Sequence, residues 1–174
     1  MGRLPSPGVA WYRKKLDIPP SDAGKRIFLD VDGAMSYAMV RINGNLAGGW
    51  PFGYTSWRVD LTPYIKPEGE NQLAIRLDNP PQSSRWYPGG GLFRNVWLVK
   101  THPVHVGHWG TFITTYRVSR KSAVVSLEVT IVNDSGNDTA VQTTSQIFVL
   151  NAAGTETGDV VAAFAPMDTL VPAR

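Results

Sequence analysis

The run Ser83-Ser84-Arg85-Trp86-Tyr87-Pro88-Gly89-Gly90-Gly91 brings hydroxyls, a guanidinium and two aromatic rings into one Pro/Gly-rich stretch. Sugars expose C–H faces and hydroxyl edges, so rings flanked by Arg, Ser and Asn suit a carbohydrate; the same rings also fill sandwich cores. A second aromatic group, Trp50, Phe52, Tyr54 and Trp57, is interleaved with Gly48, Gly49, Pro51 and Gly53. Trp57 and Trp97 fall inside alternating strands, where core packing is expected. For Trp86 and Tyr87, exposure at a site and packing stand about even, because loops on rigid scaffolds tend to carry function.

Other reactive residue types lead to less. The only glutamates are Glu68, Glu70, Glu128 and Glu156, all in expected turns or on a polar strand face and none beside the aromatic loop. His102, His105 and His108 are spaced by three, which on a strand sends neighbours to opposite faces, and no carboxylate lies nearby. Asp30, Asp32, Asp60 and Asp78 belong to different segments and read as strand-end or turn carboxylates rather than a cation site. Gly89-Gly90-Gly91 leads into a strand, not a helix N-terminus, so it is no phosphate loop. Cysteine is absent, which excludes a disulfide framework and a thiolate metal site. No cofactor and no metal are expected.

The elements that must position these residues are strands. Gly 17 and Pro 13 are high for 174 residues and are spread between short apolar runs, as in a chain of many turns. Strand character covers 11–18, 26–31, 37–42, 57–61, 73–77 and 92–99. Asn43-Gly44 predicts a type I′ hairpin, since that turn needs positive φ at both central residues. Thr62-Pro63 reads as a cap and first-turn proline opening at most one short helical turn. Beyond His102-Pro103 the aromatics thin out and Thr/Val-rich alternation takes over: Leu127, Val129 and Ile131 share one face, and Val141, Thr143, Ser145, Ile147 and Val149 another. That meander suits an immunoglobulin-like sandwich, although such a fold takes about 100 residues, more than this stretch supplies. The net charge of +3 is scattered apart from Arg13-Lys14-Lys15, so no nucleic-acid stripe is expected. No apolar run has the length of a membrane span, and no membrane partner is expected.

Five linked segments resemble one family. They are Gly8-Val9-Ala10-Trp11-Tyr12-Arg13-Lys14, the Arg41-Ile42-Asn43-Gly44 hairpin, Gly53-Tyr54-Thr55-Ser56-Trp57 with Val59-Asp60-Leu61-Thr62, Asn71 to Asn79, and Ser84-Arg85-Trp86-Tyr87-Pro88 through Leu98. Over about residues 8–103 their order and spacing look like the sugar-binding domain of glycoside hydrolase family 2, the family of β-galactosidases, β-glucuronidases and β-mannosidases, with wording closest to the β-galactosidases. The resemblance implies an all-β chain: a jelly-roll-like (galactose-binding-like) β-sandwich over 1–103, then a partial immunoglobulin-like β-sandwich over 104–174. It also implies a clipped front.

Family members are retaining enzymes that need two carboxylates about 5–5.5 Å apart. In the family these are glutamates on a later (β/α)₈ barrel, which takes about 250 residues by itself. The resemblance therefore implies a non-catalytic portion, with the barrel as partner domain and a β-galactoside-type carbohydrate as ligand. Arg85 is the expected hydrogen-bond donor, Trp86 an apolar wall and Ser84 a hydroxyl contact. A homo-oligomer stays open. So do two other readings, a free-standing carbohydrate-binding module and a structural sandwich without sugar contact.

Overall fold

The computed structural model describes residues 8–81 and 89–174. Among them secondary structure consists of strands and two one-turn 3-10 segments, Pro20–Asp22 and Thr62–Tyr64. The fold class is all-β, with sandwich-like sheets. The chain divides into two compact units, Met1–His102 and Pro103–Arg174.

The strands of the first unit are β1 (Gly8–Ile18), β2 (Arg26–Val31), β3 (Ala34–Met35), β4 (Ala38–Ile42), β5 (Asn45–Trp50), β6 (Trp57–Asp60), β7 (Gly69–Asn79), β8 (Gly91–Leu92) and β9 (Val96–Thr101). One antiparallel sheet has the order β1-β7-β4-β5, a second has β6-β2-β9, and β3 pairs with β8. Residues two apart on a strand share a face, and the core follows that period. Leu73, Ile75 and Leu77 of β7, with Val40 and Ile42 of β4, are buried together with Ile27, Leu29 and Val31 of β2 and Trp57 and Val59 of β6. Each such aliphatic side chain contributes about 1.5–3 kcal/mol by leaving water. Phe28 breaks the alternation yet is only 9% exposed. The guanidinium groups of Arg58 and Arg26 cover its ring from outside, at 4.7 and 5.9 Å from the centroid.

The hairpin forms as its dipeptide predicts. Ile42 pairs with Asn45, and the two residues between them, Asn43 and Gly44, have φ of 51° and 86°. The Thr62–Tyr64 turn is also present, but Thr62 is not its cap; Leu61 holds that position. The Thr62 hydroxyl is occupied elsewhere, accepting the Ile27 N–H at 2.9 Å.

Two further expectations for the first unit need correction. The 92–99 stretch is not one strand, because Phe93–Asn95 leave the ladder between β8 and β9. Trp97 is not in the core: it is 53% exposed, and its indole N–H donates to Asp32 Oδ2 at 2.9 Å. Val96 and Leu98 take the inward positions of β9 and pack against the core, which turns Trp97 outward by the pleat.

The second unit contains β10 (Val104–Tyr116), β11 (Val124–Asn133), β12 (Thr139–Thr143), β13 (Gln146–Leu150), β14 (Glu156–Ala163) and β15 (Met167–Val171). They pair as β10 with β11, β12 with β15, and β13 with β14. The alternation read through 141–149 breaks at Thr144-Ser145, where the Ser145 carbonyl accepts the Phe164 N–H at 2.9 Å. Val141 and Ile147 therefore belong to different ladders. Among the described residues of this unit only Asn133 is buried. Ile113, Val125, Leu127, Ile147 and Phe164 line a gap of about 360 Å³ rather than a filled core.

Candidate functional site

Ser84, Arg85 and Trp86 lie outside the described residues. What the structure describes is the frame on either side of them. The strand β7 ends at Asn79, and the chain re-enters the sheet region at β8. The end of β7 is tied down reciprocally: Asp78 N–H donates to the Ser36 carbonyl at 2.8 Å, and Ser36 Oγ donates to the Asp78 carbonyl at 2.7 Å. Asn79 is 7% exposed, and its Oδ1 has no hydrogen-bond partner among the described residues. On the return side, Gly91 has φ of 111°, a conformation glycine adopts without the steric cost of a Cβ. The Tyr12 hydroxyl accepts the N–H of Leu92 at 3.4 Å.

A group of exposed aromatic rings belongs to the same end of the sandwich. Tyr37 N–H donates to the Pro51 carbonyl at 3.0 Å, which joins the β3–β4 link to the β5–β6 link. Phe52 and Tyr54 meet edge to face with centroids 5.7 Å apart, and Tyr54 meets Phe93 the same way at 6.1 Å. The guanidinium of Arg94 lies 5.7 Å from the Phe93 centroid. Trp50 Nε1 donates to Thr55 Oγ1 at 2.9 Å. Phe93 and its place in this cluster were not foreseen. No residue pattern marks it in the sequence; in the structure Phe93 packs against Gly33, where a Cβ would stand 2.7 Å from the ring.

The alternative chemistries find no geometry. Each of the four aspartates considered for a cation is engaged: Asp30 by Arg58 at 2.6 and 2.7 Å, Asp60 by Arg26 at 2.6 Å, Asp78 by Arg76 at 2.9 Å and Asp32 by Trp97. Among the described residues no group of three or more His, Asp or Glu converges on a metal position. Of the glutamates, Glu70 pairs with Lys15 at 3.0 Å, Glu68 sits in a turn with φ of 55°, and Glu128 and Glu156 are exposed on β11 and β14. The carboxylate with a displaced pKa is Asp22, held below the ordinary value by hydrogen bonds from Lys100 and then Lys25. It serves the turn that starts β2, not the aromatic end.

Residues 8–87 match the model of the glycosyl hydrolase 2 galactose-binding domain-like family. The chain belongs to glycoside hydrolase family 2. Among the relatives of this family-2 chain, a beta-galactosidase of Bacteroides ovatus, BoGH2A, is 48% identical over 84% of it and 17% of the relative. A beta-glucuronidase of Bacteroides fragilis is 30% identical over 76% of it and 21% of the relative. Among solved structures, a beta-glucuronidase of family 2 superposes with a TM-score of 0.86 at 28% identity, over 97% of this chain and 19% of that one. A family-2 member from Bacteroides cellulosilyticus gives 0.84 at 29%, over 95% and 22%. The family-2 chain thus spans about a fifth of the length of these proteins.

Proposed function

We propose that this chain is the non-catalytic, sugar-binding front portion of a β-galactosidase-type retaining glycosidase. Its loop Ser83–Tyr87 would shape the sugar subsite of a catalytic barrel supplied by the rest of the polypeptide. The observation that carries this reading is the 48% identity to a beta-galactosidase over 147 residues, all within 17% of that protein's length. Support for the location comes from the frame. The reciprocal Asp78–Ser36 hydrogen bonds and the positive φ of Gly91 frame the described residues on either side of that stretch, and segments anchored on a rigid scaffold are where binding side chains tend to sit. Within it Arg85 donates to a sugar hydroxyl, Trp86 forms an apolar wall and Ser84 offers a hydroxyl contact.

Two measurements test the reading. The isolated chain is expected to release no product from aryl β-galactosides. Turnover that copurifies with it and vanishes when one of Glu68, Glu70, Glu128 or Glu156 is changed to Gln would overturn the non-catalytic assignment. In an enzyme carrying this sequence ahead of a catalytic domain, Arg85→Ala should lower kcat/KM about tenfold or more, the loss of one charge-assisted hydrogen bond. Unchanged kinetics would remove Arg85 from the subsite.

A further inference from the structure

We propose that one side of the first unit's sandwich is a docking groove for an extended β-strand, which pairs with the free edge of β9 and sets an acidic side chain against Lys14. The strand comes from elsewhere in the polypeptide that carries this sequence. The inference rests on the reading that the chain is a portion of a longer glycosidase, and it needs no sugar contact.

The two sides of the sandwich differ. On one, β5 runs on toward β6 and the sheets close on each other: a Cβ at Gly48 would stand 3.2 Å from the Val59 side chain. On the other, β1 and β9 are the outermost strands of their sheets among the described residues. A cavity of about 440 Å³ lies between them. Leu29, Leu73 and Ile75 form its floor, and Leu92, Val96 and Leu98 its flank. Val31 and Leu29 of β2 are 0% and 1% exposed, whereas their ladder partners on β9, Val96 and Leu98, are only half-buried. The inner face of β9 thus lacks the cover that β2 has.

A strand is the occupant that meets both features of this groove. The outer edge of β9 runs for six residues, an ordinary strand length, and such an edge presents a row of N–H and C=O groups that another backbone satisfies in register. A strand docked there lies over β1, and every second side chain enters the cavity. The two edges differ in what they admit. On β1, Lys14 has the parity of the buried Leu16 and Ile18 and lines the cavity; a charge turned inward guards an edge against pairing. On β9 the inward positions are the apolar Val96 and Leu98, and the inward cation that follows them, Lys100, is bonded to Asp22. Lys14 is exposed and makes no ion pair among the described residues. Charge complementarity therefore asks for an acidic residue on the inner face of the docked strand, among apolar ones. The matched stretch is 17% of the beta-galactosidase relative, so a polypeptide of that kind has ample chain to supply the strand.

Hydrogen-exchange mass spectrometry tests this in two arms. In the first, the isolated chain is mixed with the blocked octapeptide Thr-Val-Thr-Glu-Thr-Val-Thr-Val. Amides of Val96–Thr101 should exchange about tenfold more slowly at saturation, with no such change in β5 or β6. Lys14→Glu should weaken the peptide about threefold, as loss of an exposed ion pair gives, and the same peptide with Lys in place of Glu should restore the affinity. A thermal melt reports whether that variant is folded. If it is not, Lys14→Ala serves, and should bind the two peptides equally. In the second arm, a longer polypeptide carrying this sequence ahead of a catalytic domain should protect the β9 amides without added peptide.

Protection confined to β1, or none at all, overturns the strand site. A peptide effect indifferent to both charge reversals overturns the contact with Lys14. Peptide binding to the isolated chain, with β9 of the longer polypeptide exchanging just as fast as in that chain, overturns supply by the same polypeptide. No arm reads turnover or sugar affinity, so failure of the strand site is distinct from failure of the non-catalytic reading.

Discussion

Single side chains in this molecule are committed to partners that sequence alone hides. Asp22 takes a proton donor from Lys25 on one carboxylate oxygen, at 2.8 Å, and from Lys100 on the other. The two ammonium groups lower its pKa in the folded chain, with Lys100 the larger cause. A depressed folded pKa means stability that is present above the unfolded value, 3.8, and lost as pH falls through the lower folded one. Asp22→Asn should therefore lower Tm at pH 7 and have progressively less effect as pH drops below about 4. Thermal melts at both pH values in low and high salt check this, and a difference constant across pH would refute it. Trp97 shows why such residues resist reading. Its neighbours Val96 and Leu98 are apolar too, so the string around it does not say which parity faces in. The pairing of β9 with β2 decides it, and that pairing joins residues about seventy positions apart. Ser84, Arg85 and Trp86 stood out in the sequence by type, whereas the Phe93 contact depended on a glycine sixty positions earlier.

Among the elements, the β4–β5 hairpin was the most legible, because its turn chemistry is local. The role of Asn43 is larger than the turn. Its Nδ2 donates to the Tyr64 carbonyl at 2.9 Å and to Asn71 Oδ1 at 2.8 Å, while its Oδ1 accepts Gln72 N–H at 3.0 Å. Asn71 is itself fully buried. Asp-Gly is as good a turn as Asn-Gly, yet Asn43→Asp would set a carboxylate oxygen against two acceptors. It should cost about 1–3 kcal/mol, or more for the charged form. Gly44→Ala meets no atom within 4 Å and carries only the strain of its positive φ, about 1 kcal/mol. Urea unfolding followed by tryptophan fluorescence should rank Asn43→Asp as the more damaging; the reverse order would mean that the turn, not the buried amide network, holds the hairpin. The split of 92–99 and the break at Thr144-Ser145 were illegible for the opposite reason. Residues that leave a ladder keep the same apolar composition as those that stay in it.

For the molecule as a whole, the two units differ in what holds them. The first has a contiguous core from Leu16 to Leu77. In the second, Phe112, Ile113, Leu150, Val161, Met167 and Leu170 are each 60–66% exposed. Little buried apolar contact means low-energy local opening. Amides of β10 to β15 should thus exchange with deuterium well before those of β2, β4 and β7, by about a hundredfold or more if the gap in opening energy reaches about 3 kcal/mol. Uniform protection across both units, read by hydrogen-exchange mass spectrometry, would contradict that. The alternation in the sequence announced strands in both units equally, because pattern records which face is apolar and not whether anything covers it. The pairing of β1 has a consequence for synthesis. The strand β1 is an outer strand whose ladder partner is β7, with Gly8 opposite Asn79 and Ile18 opposite Gly69. On a ribosome adding about 5–20 residues per second, it waits on the order of several seconds for that partner to emerge. Throughout the wait it is an extended segment with Leu16 and Ile18 unburied, open to pairing with other nascent chains. The consecutive cations Arg13, Lys14 and Lys15 sit in the middle of that segment, and like charges on two copies of such a strand repel one another.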